Sequence, residues 1–320
     1  MNATSVHLSA PRYTLGENPA DHTSIADLTE RAAELRIPAK ASLWGWGTVH
    51  RTGRSLEDLA VESGRASLST AGAEPGDVDA LVLCSTRFPG GPHSHGDFVR
   101  AVMTGLGLAD AAFTGITLNR CTNLLVGLRL AQALVSSGQH RTVLVVTTDR
   151  VTDEADRMEN FALFSDGSAA CLVSTRPYGT DTYEILGGSS AQDPPSLPWS
   201  NEISSDLTRV ANDRVLAPLD LTLKDVDGVL HPNLFKPIIA LKERQAGFSA
   251  DQLFLDNISR VGHCFAADPL INLVDRAEAG QLRDGGHYLL ASSVPGVRVC
   301  VLLRKLSAAQ QPTSDEPPES

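Results

Sequence analysis

Leu118-Asn119-Arg120-Cys121-Thr122-Asn123-Leu124-Leu125-Val126-Gly127-Leu128 sets one cysteine between two kinds of pattern. Ahead of it runs Gly115-Ile116-Thr117-Leu118, apolar and β-branched; behind it apolar residues recur at helical spacing. Cys121 therefore stands at a strand-to-helix junction. The first N–H groups of a helix lack partners and its dipole favours an anion, so a thiolate forms more readily there than in free cysteine. That is where an enzyme places a nucleophile. The competing reading is packing, because free cysteine is among the most buried residue types.

Composition narrows the classes. The chain has 320 residues, a net charge of −11 and a pI near 5.2. An acidic surface argues against nucleic acid as a partner, which needs a basic face. Five cysteines, Cys84, Cys121, Cys171, Cys264 and Cys300, form no CxxC pair, which suits reduced thiols rather than zinc or disulfides. The N-terminus has no basic region followed by an apolar core, and no run approaches about 18 apolar residues, so the expectation is a cytoplasmic protein with no membrane span.

Along the chain, Ser55 caps a helix and Asp79 to Cys84 form a buried strand. Trp44 and Trp46 sit in a glycine-spaced turn and read as a core plug rather than a channel lining. Phe88 to Gly96 holds an HxH pair and reads as a surface loop, followed by a short helix capped by Asp97. The helix after Cys121 ends at Gly138, a C′ glycine. In the second half, a strand ends at His231, with Pro232 suited to helix position N1, and His263 precedes the helix Ala266 to Ala279.

The halves repeat. Asp77-Val78-Asp79-Ala80-Leu81-Val82 matches Asp225-Val226-Asp227-Gly228-Val229-Leu230, and Gly138-Gln139-His140-Arg141 matches Gly280-Gln281-Leu282-Arg283. Seventeen residues separate Cys121 from Gly138, and seventeen separate His263 from Gly280. Cys121 and His263 thus occupy equivalent helix starts in two copies of one unit, which a pseudo-twofold packing brings together. His231, at a second-half strand end, joins them.

These residues resemble the thiolase superfamily, most closely its β-ketoacyl-acyl-carrier-protein synthase III branch, from about residue 43 to 305. The marks are the cysteine stretch, Phe164-Ser165-Asp166-Gly167-Ser168-Ala169-Ala170 for the family's FGDGAGA, His231-Pro232-Asn233 for its HQAN histidine, and Gly262-His263 for its GNTSAAS turn. The resemblance implies an α/β protein with a five-layered α/β/α/β/α fold. Its pseudo-twofold halves would be residues 1–180, carrying Cys121, and 181–306, carrying both histidines; the tail 307–320 would be disordered.

It further implies a homodimer acting on acyl thioesters, with catalytic Cys121, His231 and His263 and no cofactor or metal. Backbone N–H groups of Cys121 and Val294 would hold the oxyanion. A basic patch of Lys236, Lys242 and Arg244 would dock an acyl carrier protein, the donor favoured over a coenzyme A thioester. The first function implied is decarboxylative Claisen condensation in specialised, polyketide or fatty-acid-like metabolism. The second is non-decarboxylating transfer to a hydroxyl, amine or thiol; the third is a non-catalytic partner subunit of a ketosynthase. His263 stands where the synthase III branch has asparagine and the elongating ketosynthases have histidine.

Overall fold

The computed structural model describes residues 5–86, 92–198 and 204–307. Its strands are β1 (His7–Leu15), β2 (Asn18–Asp21), β3 (Thr48–Arg51), β4 (Ala80–Cys84), β5 (Ala112–Ile116), β6 (Thr142–Asp149), β7 (Gly167–Ser174), β8 (Thr182–Gln192), β9 (Gly228–Leu230), β10 (His287–Val294) and β11 (Val297–Lys305). β2 and β3 form a small hairpin; the other nine run in the order β5-β4-β6-β7-β1-β8-β11-β10-β9.

That order is a palindrome of pairing types. In the first half β4 is parallel to β6, and β6-β7-β1 continue antiparallel. In the second, β9 is parallel to β10, and β10-β11-β8 continue antiparallel. β5 lies parallel beyond β4, and its counterpart is reduced to a single parallel bridge between Val229 and Leu253. The repeated sequence motifs meet in each copy: Asp79 accepts from the N–H groups of Arg141 and Thr142, and Asp227 accepts from the His287 N–H and the Arg283 guanidinium. Each aspartate clamps the start of the neighbouring strand.

Alternation along the strands builds the layers. Val82, Val145 and Cys171 of the first half, with Leu290, Val299 and Val301 of the second, enclose the Asn123–Ser136 and Asp268–Glu278 helices in one central core. The alternate residues Leu81, Leu144 and Leu172 face the Leu56–Ala71 and Pro92–Leu106 helices, while Leu289, Cys300 and Leu302 face Ser205–Leu216. Both faces of each sheet are covered, hence strands with little polar alternation. The result is the expected α/β/α/β/α layering.

Two local expectations change, and the core placement of Trp46 does not. The helix expected from Asp97 starts at Pro92, so both histidines of the HxH pair lie in a helix, while 87–91 fall outside the described residues. Pro232 is not a helix N1 residue; the next helix is Lys236–Gln245, with Pro237 at its second position. Trp46 packs with Ile25, Val49, Met158 and Phe235. No helix among the described residues is long and apolar enough to cross a membrane.

Gly127 lets the Asn123–Ser136 helix lie against β4: a Cβ there would sit 2.9 Å from Cys84 Sγ and 3.2 Å from a Val82 methyl. Gly127→Leu overpacks this contact and is expected to lower unfolding free energy in urea by about 3 kcal/mol; an unchanged midpoint would show that the two layers can move apart freely.

Candidate active site

Cys121 lies in a single 3-10 turn, Arg120–Thr122, that leads into the Asn123–Ser136 helix. Arg120 takes φ 51°, a strained left-handed conformation for a side-chain-bearing residue, so the chain turns sharply into the cysteine. Buried Asn123 fixes that turn: its Nδ2 donates to the carbonyls of Ser85 and Thr117, and its Oδ1 accepts from the Asn119 N–H. From the second half, Ser292 Oγ donates to the Cys121 carbonyl at 2.9 Å. Cys121 is half-buried; the other four cysteines are free and fully buried, and burial pushes their thiols up.

His263 is positioned by the first half. Its N–H donates to the Leu163 carbonyl at 2.8 Å and its carbonyl accepts from the Ser165 N–H at 2.9 Å. Ser165 Oγ also donates to the Val261 carbonyl, and Asp166 ties down Val151, Thr52 and buried Arg157. The Phe164-Ser165-Asp166-Gly167 stretch is thus the cradle of the histidine. Gly262, at φ 74°, makes the turn into it, and a Cβ there would meet Ser165 Oγ at 2.9 Å.

Asp268 was not singled out from the sequence. It is fully buried and takes His263 Nδ1 at 2.5 Å, the Asn233 N–H at 2.6 Å, Asn233 Nδ2 at 3.3 Å and the Cys264 N–H at 2.7 Å. Burial disfavours charge on His263, but the Asp268 carboxylate, and after it Cys121, outweigh that and raise its proton affinity well above the ordinary value. With Nδ1 committed to Asp268, Nε2 is the nitrogen left for the cysteine, and it closes no hydrogen bond among the described residues. Thiol, imidazole and carboxylate of Cys121, His263 and Asp268 thus stand in the order that a nucleophile, a base and an orienting group require. The signal in the sequence was the short spacing to an Asp-Pro helix start, Asp268-Pro269.

His231 is brought to the same region but held differently. It is fully buried, with Nδ1 2.9 Å from the Pro232 carbonyl. A carbonyl only accepts, so Nδ1 carries the proton and Nε2 of the neutral ring presents a lone pair. Burial lowers its pKa to about 4.

Cys121, His263, Ser293, Val294 and Pro295 share the wall of one cavity of about 310 Å³ with Phe161, Pro232, Leu234 and Ile238. Of the three basic residues read as a docking patch, Arg244 is exposed and Lys236 half-buried. Lys242 is a correction: it is 3% exposed, paired inside with Glu243, and lines this cavity instead of the surface. No cluster of three or more His, Cys, Asp or Glu among the described residues is placed to hold a metal.

The neutral burial of His231 has a pH signature. The unfolded chain binds this proton near pH 6.5 and the folded protein only near 4, so the stability is fully present above about 6.5 and is lost as pH falls toward 4. His263, raised instead, is protonated in both states across that window. The loss amounts to roughly 3 kcal/mol. His231→Asn is expected to flatten the urea-unfolding stability between pH 7 and 4; an undiminished slope would assign it to other groups.

Comparison with known proteins follows the same outline. Residues 117–193 match the family described as 3-oxoacyl-[acyl-carrier-protein (ACP)] synthase III. The β-ketoacyl-[acyl-carrier-protein] synthase III of Caldanaerobacter subterraneus subsp. tengcongensis is 24% identical over 281 residues, covering 76% of this chain and 81% of the relative. Among solved structures, ChlB3, described as an acyltransferase, superposes with a TM-score of 0.81 at 19% identity, covering 96% of this chain and 100% of that one. The 3-oxoacyl-(acyl carrier protein) synthase III FabH from Pseudomonas aeruginosa PAO1 gives 0.74 at 22% identity, with 95% and 99% covered. With its paired half-sheets and its cysteine at the central helix start, the chain is similar in sequence and fold to the β-ketoacyl-acyl-carrier-protein synthase III enzymes, which are acyl-transferring condensing enzymes.

Proposed function

We propose that the protein takes an acyl group from a thioester onto Cys121 and passes it, without decarboxylation, to a hydroxyl, amine or thiol acceptor. The observation that carries this reading is the His263–Asp268 pair beside Cys121. The Cys121 proton already rests on His263 Nε2, so the Sγ thiolate attacks the thioester carbonyl, the donor's C–S bond breaks, and its thiol leaves with that proton, the ring becoming neutral. The backbone N–H groups of Cys121 and Val294 are the proposed oxyanion donors. In the second half His263 removes the acceptor's proton, and the Cys121 thiol is restored. The donor is an acyl carrier protein or coenzyme A thioester, and the altered motifs around Cys121 suit a role in specialised metabolism.

Decarboxylative condensation is the second reading, favoured by the match of residues 117–193 to the synthase III family. It needs two donors on the enolate oxygen. His231 counts against it, since its one ring proton is spent on the Pro232 carbonyl.

Intact-protein mass spectrometry after incubation with acyl thioesters tests the common half: an adduct is expected on the native chain and none on Cys121→Ala. Asp268→Asn is expected to slow its formation by about 100-fold or more. With a malonyl thioester, acyl transfer to an added alcohol or amine without release of carbon dioxide supports the first reading. Carbon dioxide release coupled to ketone formation would replace it with the second.

A homodimer is proposed through β5. That edge strand is exposed along most of its length, with Phe113 41% and the following Leu118 92% exposed. An open, apolar edge pairs readily with a second copy. Light scattering is expected to give twice the chain mass, and Phe113→Asp to shift it toward monomer; a monomeric native protein removes the proposal.

A further inference from the structure

Two buried cations share one buried carboxylate beside the Cys121 cavity. Arg298, fully buried, donates Nη1 to Glu243 Oε1 at 2.8 Å and Nη2 to Oε2 at 3.2 Å, so both oxygens are engaged in a fork-to-fork pair. Lys242 Nζ stands 3.1 Å from that same Oε1, yet closes no hydrogen bond with any described residue. The trio carries one more positive charge than negative. An ammonium has three protons to donate, and a buried ion without its full complement of partners is among the costliest arrangements a protein keeps. Burial pushes the proton affinity of Lys242 down, and Glu243 restores it only in part.

The surrounding groups do not balance that charge. Neutral His231 offers none, and Asp268 is occupied by His263, Asn233 and Cys264. Lys242 forms part of the wall of the cavity that holds Cys121 and His263, beside apolar Phe161, Leu234 and Ile238 and the uncharged polar Asn160, Gln245 and Ser293. A space of about 310 Å³ is small for a ligand site and suits a short chain.

We propose that Lys242 is a specificity residue selecting a short acyl group that ends in a carboxylate, which completes the charge balance of the Lys242–Glu243–Arg298 cluster. The inference rests on the acyl-transfer reading. Cys121 Sγ bonds to the thioester carbonyl carbon, the carrier thiol leaves with the proton, and the distal carboxylate stays intact against Lys242.

The test measures acyl-Cys121 formation by mass spectrometry with pantetheine thioesters of matched length, succinyl and glutaryl against butyryl and pentanoyl. The native protein is expected to react with the carboxyacyl donors at least about tenfold faster, the worth of one good charged contact. Lys242→Met is expected to abolish that preference, bringing the ratio of carboxyacyl to plain acyl rates down to about one. Equal rates in the native protein, or an equal loss for all four donors in Lys242→Met, overturn the assignment and leave acyl transfer standing. No adduct with any donor removes the acyl-transfer reading itself, and the inference with it. If Lys242→Met does not unfold cooperatively, the ratio in the native protein decides alone.

Discussion

Asp268 accepts four hydrogen bonds from two stretches of chain, Asn233 and His263–Cys264. Removed from water, a carboxylate keeps its charge only when its oxygens are saturated in this way. Its hydrogen bond fixes a proton on Nδ1 of His263, because a carboxylate oxygen facing a ring nitrogen accepts. Asp268 also fixes the loop after β9 through Asn233, whose Oδ1 accepts in turn from Asn272. Asn272 Nδ2 donates as well to the His231 carbonyl at 2.8 Å, so both histidines are oriented by one connected polar core.

The architecture was legible because it is written twice. The Asp79 and Asp227 motifs, and the equal spacing from Cys121 and His263 to helix-ending glycines, identified a duplicated unit before any packing was known. Gly138 and Gly280 do take positive φ, 73° and 65°, as helix-terminating glycines. The convergence of Cys121 and His263 followed from that symmetry. Strand runs buried on both faces carry little period-two signal, yet their apolar continuity sufficed because each is bounded by charged or turn residues.

Residues whose role comes from a distant partner were not legible. Lys242 and Glu243 are consecutive in a short helix of low apolar content, so local reading places them on a solvated face. Arg298, on a strand 55 residues later, turns them inward. Asp268 reads as an ordinary first-turn acid until His263 is placed against it. The proton on His231 was hidden for another reason: it depends on the direction of the next residue's carbonyl, which no residue type specifies.

The bridge between Phe164 and His263 also orders events in time. The backbone that cradles the histidine is complete ninety-six residues before the histidine is made. At about 5–20 residues per second, synthesis leaves that cradle without its occupant for roughly 5–20 seconds. The first half must therefore persist with an open edge and an apolar inner face while its mate is translated. In a nascent chain Cys121 exists before His263, and the thiol meets the imidazole only when the second half has closed over the first.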